Sequence, residues 1–512
     1  MKMIKMSIAA AAACLLTTSA YALKTEDRNL LGNYQVDYLK TPGEVNSLGE
    51  MLTKGEVYGR IRSNMFWNVW DNEKFGSSPT RNNNMWGLGG SLVYKTGFFH
   101  GFGATAGFYG TIPMDSENTD PAVANTNFGK MGKDTYRTRM DGSEAAIGVF
   151  AEAYLEYKNG KTDVKVGRQG IDTVMLATND TKMVPNTFEG AVIENKDIPN
   201  TALRAGYIMS QKLRDHQLFH SVIAYDGTTS FTKVNENDDS GAHKGLTLAN
   251  IAKVNGDADP EMVLVTVENK SIPNLKLNGE YIGLDGYFNT AIAEANYQIK
   301  LNDSWTLTPG IRYLRQMDDG AGAIGGAALS GKAAVTVNGG SAAGRASYTN
   351  PTSVDGSIFM ARLVLASGPL ELAAGYSKIA DDADIIAPWR GFPTGGYTRS
   401  MAQVDWVANT KNWAVKATYD FGKAGIVPGL KVAADYEDMN FDDAKMLSGA
   451  SAFSDRTIFH VDAWQTFKSL PNTEFKFRFA TVNADPVTTT ATPVTVDYAS
   501  YNEYRFEVNY LF

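Results

Sequence analysis

The sequence predicts an all-β protein: a transmembrane antiparallel β-barrel of about 18 strands, with short turns at one end and long loops at the other. Three observations lead there. At the C-terminus, Tyr504, Phe506, Val508, Tyr510 and Phe512 alternate with the mostly polar set Arg505, Glu507 and Asn509. A period of two puts the two sets on opposite faces of one strand. Further upstream, a tight turn followed by an alternating strand recurs along the chain. Beyond the first 22 residues, no apolar run approaches the ~18 residues a membrane helix needs. A chain of this kind can cross a bilayer only as an edgeless sheet, in which every backbone amide finds a partner.

Residues 1–22 read as a secretory signal peptide. Lys2 and Lys5 supply a positive start, Met6 to Leu16 an apolar run, and Ala20-Tyr21-Ala22 a cleavage site of small-x-small type. The only cysteine, Cys14, lies inside the apolar run, with Ala at position 11, which argues against a lipid anchor. Cleavage would leave no cysteine for disulfides or metal. It would also remove two lysines and no acid, so the formal charge of −8 becomes −10 over 490 residues, which is not the balance of a nucleic-acid binder. A mean hydropathy of −0.25 is compatible with a barrel, whose strands are only half apolar. Residues 23–55 form an N-terminal segment with a short helix, and residues 56–512 the barrel.

Within the barrel, Asp197-Ile198-Pro199-Asn200, Ser271-Ile272-Pro273-Asn274, Ile426-Val427-Pro428-Gly429 and Ser469-Leu470-Pro471-Asn472 each open onto an alternating strand, and Gly368-Pro369 is a looser copy. Proline fixes φ and Asn or Gly tolerates the reversal. The long polar stretches 113–142, 226–260, 317–351, 437–456 and 483–498 alternate with these turns. The third, rich in Gly and Ala, has little to specify a fold. Aromatic residues at strand ends (Phe66, Trp67, Trp70, Trp86, Tyr94, Phe98, Phe99, Trp305, Tyr313, Trp406, Trp413, Tyr419) suit interfacial girdles. Two ~10-residue strands, one short turn and one long loop consume roughly 50 residues, which sets the strand count.

Strand parity then sorts the lumen. Along 56–70 the outward set is Val57, Gly59, Ile61, Ser63, Met65, Trp67 and Val69, leaving Tyr58, Arg60, Arg62, Asn64 and Asn68 inside. The same count puts Arg204, Lys276, Arg312, Arg362, Lys416, Lys431, Arg478 and Arg505 inside, together with the acids Glu152, Glu156, Glu280, Asp435 and Glu507. A cation at the lipid midplane costs roughly 2–4 kcal/mol, so charged residues flanked by outward apolar neighbours belong in the lumen. They either guide solutes or merely balance one another. The 170–187 stretch is too apolar for a solvated loop and too irregular for a strand. It combines Met175, Leu176, Met183 and Val184 with Asp172, Asp180 and Lys182, and is expected to fold inside the barrel and set its width.

These residues carry a resemblance. The 165–190 stretch, the Val427-Pro428-Gly429 turn after Tyr419-Asp420-Phe421, and the opening from Ser47 through Gly55-Glu56-Val57-Tyr58-Gly59-Arg60-Ile61-Arg62 resemble the OprD-like outer-membrane porins. The closing strand ending in Phe likewise resembles those that bacterial outer-membrane barrels present to their assembly machinery. The resemblance implies an 18-stranded Gram-negative outer-membrane channel with a narrow constriction, an inward loop and basic residues guiding small carboxylate-bearing solutes. Arg60 and Arg62 then match the basic first strand, and Arg168 to Phe188 the constriction. Parity groups Arg168 with Val164 and Val166, so it reaches the lumen only if its strand ends near Gly167. The implied partners are outer-membrane lipid and lipopolysaccharide, small solutes and the assembly machinery, whereas monomer and trimer both stay open.

Enzyme chemistry finds little support. The Phe102 to Gly107 glycines lie in a strand with no helix to hold phosphate, and no Gly-x-Ser-x-Gly elbow occurs. His216 and His220 lack a third metal ligand, and Asp238-Asp239 and Asp318-Asp319 lack calcium-loop spacing. No catalytic residue, metal or cofactor is expected. The leading reading is passive, moderately selective diffusion of small solutes. The alternatives are a phospholipase-like barrel enzyme, which needs a Ser–His pair on an outward face, and an adhesive surface barrel using its long loops.

Overall fold

The computed structural model describes residues 24–72, 82–115, 146–214, 216–223, 241–331, 347–401, 406–442, 445, 454–488, 495–496 and 500–512. The expected signal peptide, Asp238-Asp239 and parts of the long loops lie outside these residues. Eighteen antiparallel strands close into one barrel, each pairing with its neighbours in sequence. They are β1 (Glu56–Trp70), β2 (Asn83–Lys95), β3 (Phe102–Asp115), β4 (Ile147–Asn159), β5 (Thr162–Gln169), β6 (Thr187–Asn195), β7 (Thr201–Lys212), β8 (Met262–Asn269) and β9 (Leu275–Leu284). They continue as β10 (Phe288–Tyr297), β11 (Thr306–Asp318), β12 (Gly356–Ser367), β13 (Leu370–Ile379), β14 (Lys411–Asp420), β15 (Leu430–Asn440), β16 (Arg456–Phe467), β17 (Leu470–Ala484) and β18 (Tyr501–Leu511).

The proline turns fall together on the short-turn end, and each takes the backbone its residues anticipate. Asn200, Asn274 and Asn472 have φ of 56°, 63° and 62°, and Gly368 and Gly429 have 54° and 78°. The left-handed region costs Asn and Gly least.

β18 closes the barrel on β1, in register from Tyr501 opposite Trp70 to Leu511 opposite Arg60. Gly59 and Phe512 exchange both backbone hydrogen bonds, at 2.8 and 3.0 Å. The Phe512 ring lies on Gly59, where a Cβ would stand 2.2 Å from a ring carbon. The last large side chain of the chain is thus seated by the absence of one on the first strand.

The outer wall is apolar from strand to strand: Ile61, Leu92, Phe108, Leu155, Val265, Ile311, Leu363, Val415, Phe477 and Phe506 are all exposed. Such a surface requires a lipid solvent. Trp67, Trp86, Tyr313 and Trp413 share this outward face, but Phe66, Phe98 and Trp406 do not belong to a girdle, since all three are buried inside.

The barrel interior also holds an apolar core. Phe188, Ile208, Leu264, Ile282, Leu314, Ile358 and Ile379 point inward near the long-loop end, and four inward segments pack on them. These contribute Met175 and Leu176, then Leu246 and Ile251, then Ala321, Ile324 and Leu329, and finally Ile385, Ile386, Trp389 and Trp406. The 170–187 stretch thus shares the interior with three other segments, and the Gly/Ala-rich stretch after Met317, expected to have little to specify a fold, packs inward over its described residues, with Ala327 and Ala328 also buried. A helix α2 (Leu248–Lys253), capped by Thr247, and a short α3 (Ala321–Gly325) sit in two of these segments. Helix α1 (Leu48–Thr53), capped by Ser47, precedes β1.

Candidate functional site: the constriction and its anchors

The 170–186 connection between β5 and β6 folds inside the barrel, where Met175 and Leu176 join the interior core. Inside the wall its backbone is satisfied by three sets of side chains, as non-helical backbone at membrane depth requires. Glu280 of β9 accepts from Val174 N (2.8 Å), Met175 N (3.0 Å) and Thr173 Oγ1 (2.8 Å). Lys212 donates to Pro185 O at 2.5 Å and Asn64 to Lys182 O at 3.1 Å. Arg505 donates to Thr181 O at 3.2 Å, and Arg204 to Asp172 O at 2.9 Å.

Asp180 is the central anchor. Its carboxylate pairs with Arg60 and, at 3.0 Å, with Arg62, while Arg62 also donates to Asp180 O (2.8 Å) and pairs with Glu507. Arg60 and Arg62 face inward, but they are 2% and 0% exposed, so their forks are committed to the segment and not held open to solutes. Asp180 and Lys182 are likewise buried. Asp172 differs: its side chain is open to the lumen, while its backbone oxygen accepts from Arg204 at 2.9 Å.

The other basic residues divide by role. Arg312 and Arg362 share Glu294 and donate to Pro393 O, Gly395 O and Gly396 O, with their guanidiniums 4.7 and 4.6 Å from the Tyr397 ring. They fasten the 380–410 segment, whose Trp389 O in turn accepts from Ala177 N at 3.2 Å. Parity gave no notice of this segment. The signal was present in Ile358-Phe359-Met360 and Tyr207-Ile208-Met209, where both faces of a strand are apolar and so both must be covered.

Arg478 binds Asp462 bidentately, both contacts 2.7 Å, and keeps part of its side chain open to the lumen. Lys476 joins the same carboxylate at 3.1 Å. Lys431 faces inward near the short-turn end, in register with Trp464. Arg204 pairs with Glu194 at 2.8 Å.

Arg168 is a correction. Its strand runs on to Gln169 despite Gly167 at φ 126°, so Arg168 shares the outward face of Val166, pairs with Glu189 at 3.4 Å and lies 4.4 Å from the Phe219 ring. It does not line the lumen.

The N-terminal segment is the contribution the sequence did not announce. A small ribbon pairs Arg28–Leu30 with Val36–Tyr38 inside the barrel. Arg60 donates to Tyr34 O at 2.8 Å, Asp180 N to Asn33 O at 2.8 Å, and Asn33 Nδ2 to Thr178 O at 3.1 Å. The 170–186 segment therefore rests on this ribbon.

His216 and His220 stand with ring nitrogens 3.1 Å apart, and no group of three metal-capable side chains occurs among the described residues.

The model of the outer membrane porin, OprD family, matches residues 61–454. The chain belongs to the OprD family. Its fold is similar to that of Pseudomonas aeruginosa OpdQ (17% identity, TM-score 0.60, 91% of this chain and 99% of that one) and Acinetobacter baumannii OccAB3 (15%, 0.66, 90% and 99%). It is also similar to P. aeruginosa OpdK with vanillate (14%, 0.62, 89% and 98%). Comparison with curated protein sequences finds no match. As an OprD-family porin the chain is a Gram-negative outer-membrane β-barrel, and its short-turn end faces the periplasm. OprD-family porins are channels, not enzymes.

Proposed function

We propose that this porin passes small carboxylate-bearing solutes. The observation that carries the reading is a strip of inward cations along one side of the lumen, centred on the partly open Arg478: Lys431 on β15, Lys476 and Arg478 on β17, and Arg505 on β18. Asp462 occupies Lys476 and Arg478, and Glu503 occupies Arg505, which lowers the cost of enclosing this charge. At the partly open Arg478 fork, an arriving carboxylate meets a guanidinium already oriented for two parallel hydrogen bonds and flanked by a second cation. Exchange between wall and solute carboxylates favours anions while keeping binding weak enough for release. The OpdK structure with vanillate, a carboxylate, supports the same class.

Liposomes carrying the purified porin test this by comparing uptake of a small carboxylate with uptake of its amide. The reading expects faster carboxylate uptake, reduced by Arg478→Gln. Equal uptake of acid and amide would end it.

A further inference from the structure

The ribbon that supports the constriction also walls a cavity of about 210 Å³ at the periplasmic end of the lumen. One side is Val36, Asp37, Tyr38 and Pro42, and the other is the β2–β5 wall with Lys95, Phe98, Glu156 and Lys165. The ribbon is fixed there by contacts of its own. Arg28 donates to Gly59 O at 2.9 Å, Tyr58 Oη to Lys40 O at 2.6 Å, and Phe98 N to Gly43 O at 2.9 Å. Because Asn33 and Tyr34 touch the constriction and Thr41 and Pro42 lie against the rim, the cavity borders the way out.

Its three ammonium groups are not equivalent. Lys158 and Lys165 are engaged with Glu156 at 3.0 and 3.7 Å, and Lys165 also with Asp163 at 3.7 Å. Lys95 has no carboxylate at ion-pair distance among the described residues. Its Nζ donates to Tyr154 Oη at 3.1 Å and stands 4.3 and 5.7 Å from the Tyr38 and Tyr154 ring centroids. A partly buried ammonium held by ring faces and one hydroxyl is stabilised by them without a directly paired carboxylate. An anion would supply the missing partner.

We infer that this cavity is a binding subsite for the carboxylate of a small monocarboxylate leaving the constriction, with Lys95 as its anion partner and Tyr38 and Phe98 as its apolar walls. The site deepens the carboxylate reading and rests on it for the solute class. The volume is below the roughly 300 Å³ at which drug-sized pockets begin, which limits the occupant to a small solute. Asp37, Glu156 and Asp163 line the same space and repel a second carboxylate, so monocarboxylates are preferred to dicarboxylates. The N-terminal segment, outside the 61–454 family match, thereby becomes part of the selective path.

The test uses the full mature porin in planar bilayers, with phenylacetate, phenylacetamide, 1,4-phenylenediacetate or inorganic phosphate added on the periplasmic side. The readout is the concentration that halves the single-channel current. Phenylacetate is expected to block at lower concentration than the other three. Lys95→Gln should raise its half-blocking concentration about tenfold or more, the loss expected for a charge-assisted hydrogen bond. Lys95→Arg should keep most of the block, and Tyr38→Ala should weaken it without touching the charge. Each variant is first checked for heat-modifiable migration in detergent. An unchanged half-blocking concentration in Lys95→Gln overturns the subsite, as does equal block by phenylacetamide. Phosphate blocking as well as phenylacetate through Lys95 overturns the carboxylate assignment. Liposome uptake by the same preparations separates the two readings: a wild type without carboxylate preference defeats the proposed function, whereas a wild type with that preference and an indifferent Lys95→Gln defeats only the subsite.

Discussion

Replacing Asp180 by Asn tests whether the wall arginines hold the constriction in place. The change keeps the shape of the side chain and removes the charge that Arg60 and Arg62 share, at a site where both guanidiniums are no more than 1% exposed. Breaking a buried ion pair costs roughly 3–5 kcal/mol. Here Arg62 keeps Glu507 and Arg60 keeps Tyr34 O, so the lower end, about 3 kcal/mol, is the appropriate figure. At 1.4 kcal/mol per decade, the undocked population of the 170–186 segment rises about a hundredfold. Cys14 is the only cysteine and lies in the predicted signal peptide, so Met183→Cys, at a position 1% exposed, becomes a reporter of undocking. In that background, thiol labelling should speed up about a hundredfold with Asp180→Asn, and single-channel current should become noisier. Equal labelling rates and equal noise would refute the anchoring argument.

Other predictions concern the pore's charge and its assembly. Asp172 is open to the lumen, so Asp172→Asn should lower the cation-to-anion permeability ratio at pH 7 in reversal-potential measurements, and an unchanged ratio would show that this carboxylate does not face the ion path. Gly59→Val puts a side chain into the Phe512 ring, so the closing pair should fail and the folded, heat-modifiable band should be lost, while Ser63→Val on the same outward face is tolerated. Trp389→Ala removes a fully buried ring and its 2.8 Å bond to Val222 O, which should cost the docked 380–410 segment about 3–5 kcal/mol and give larger, fluctuating current steps.

The barrel was legible because lipid imposes a rule the sequence must obey at nearly every strand residue. Parity alone placed Arg60, Arg62, Arg204, Arg312, Arg362, Arg478 and Arg505 on the inward face. At Arg168 parity pointed outward with Val164 and Val166, and it was the resemblance that implied a luminal place, through a strand end near Gly167 that does not occur. Parity also says which way a side chain points and not what it meets. The carboxylate partners of Arg60 and Arg62 lie 118 or more residues away at Asp180 and Glu507, and the backbone partners of Arg312 and Arg362 in a segment with no distinctive composition. The ribbon at Arg28–Tyr38 was hidden for a related reason: three-residue strands carry too few positions to show a period.

The central claim is that this chain is a channel whose width is set by inward segments tied to the barrel wall. Single-channel recording of the purified mature protein in a planar bilayer tests it most directly, with the wild type measured beside a folded variant in which residues 172–177 are replaced by a short glycine linker. The account predicts discrete, small conductance steps for the wild type and clearly larger steps for the variant. An absence of steps in the folded wild type, or identical steps in the two proteins, would contradict it.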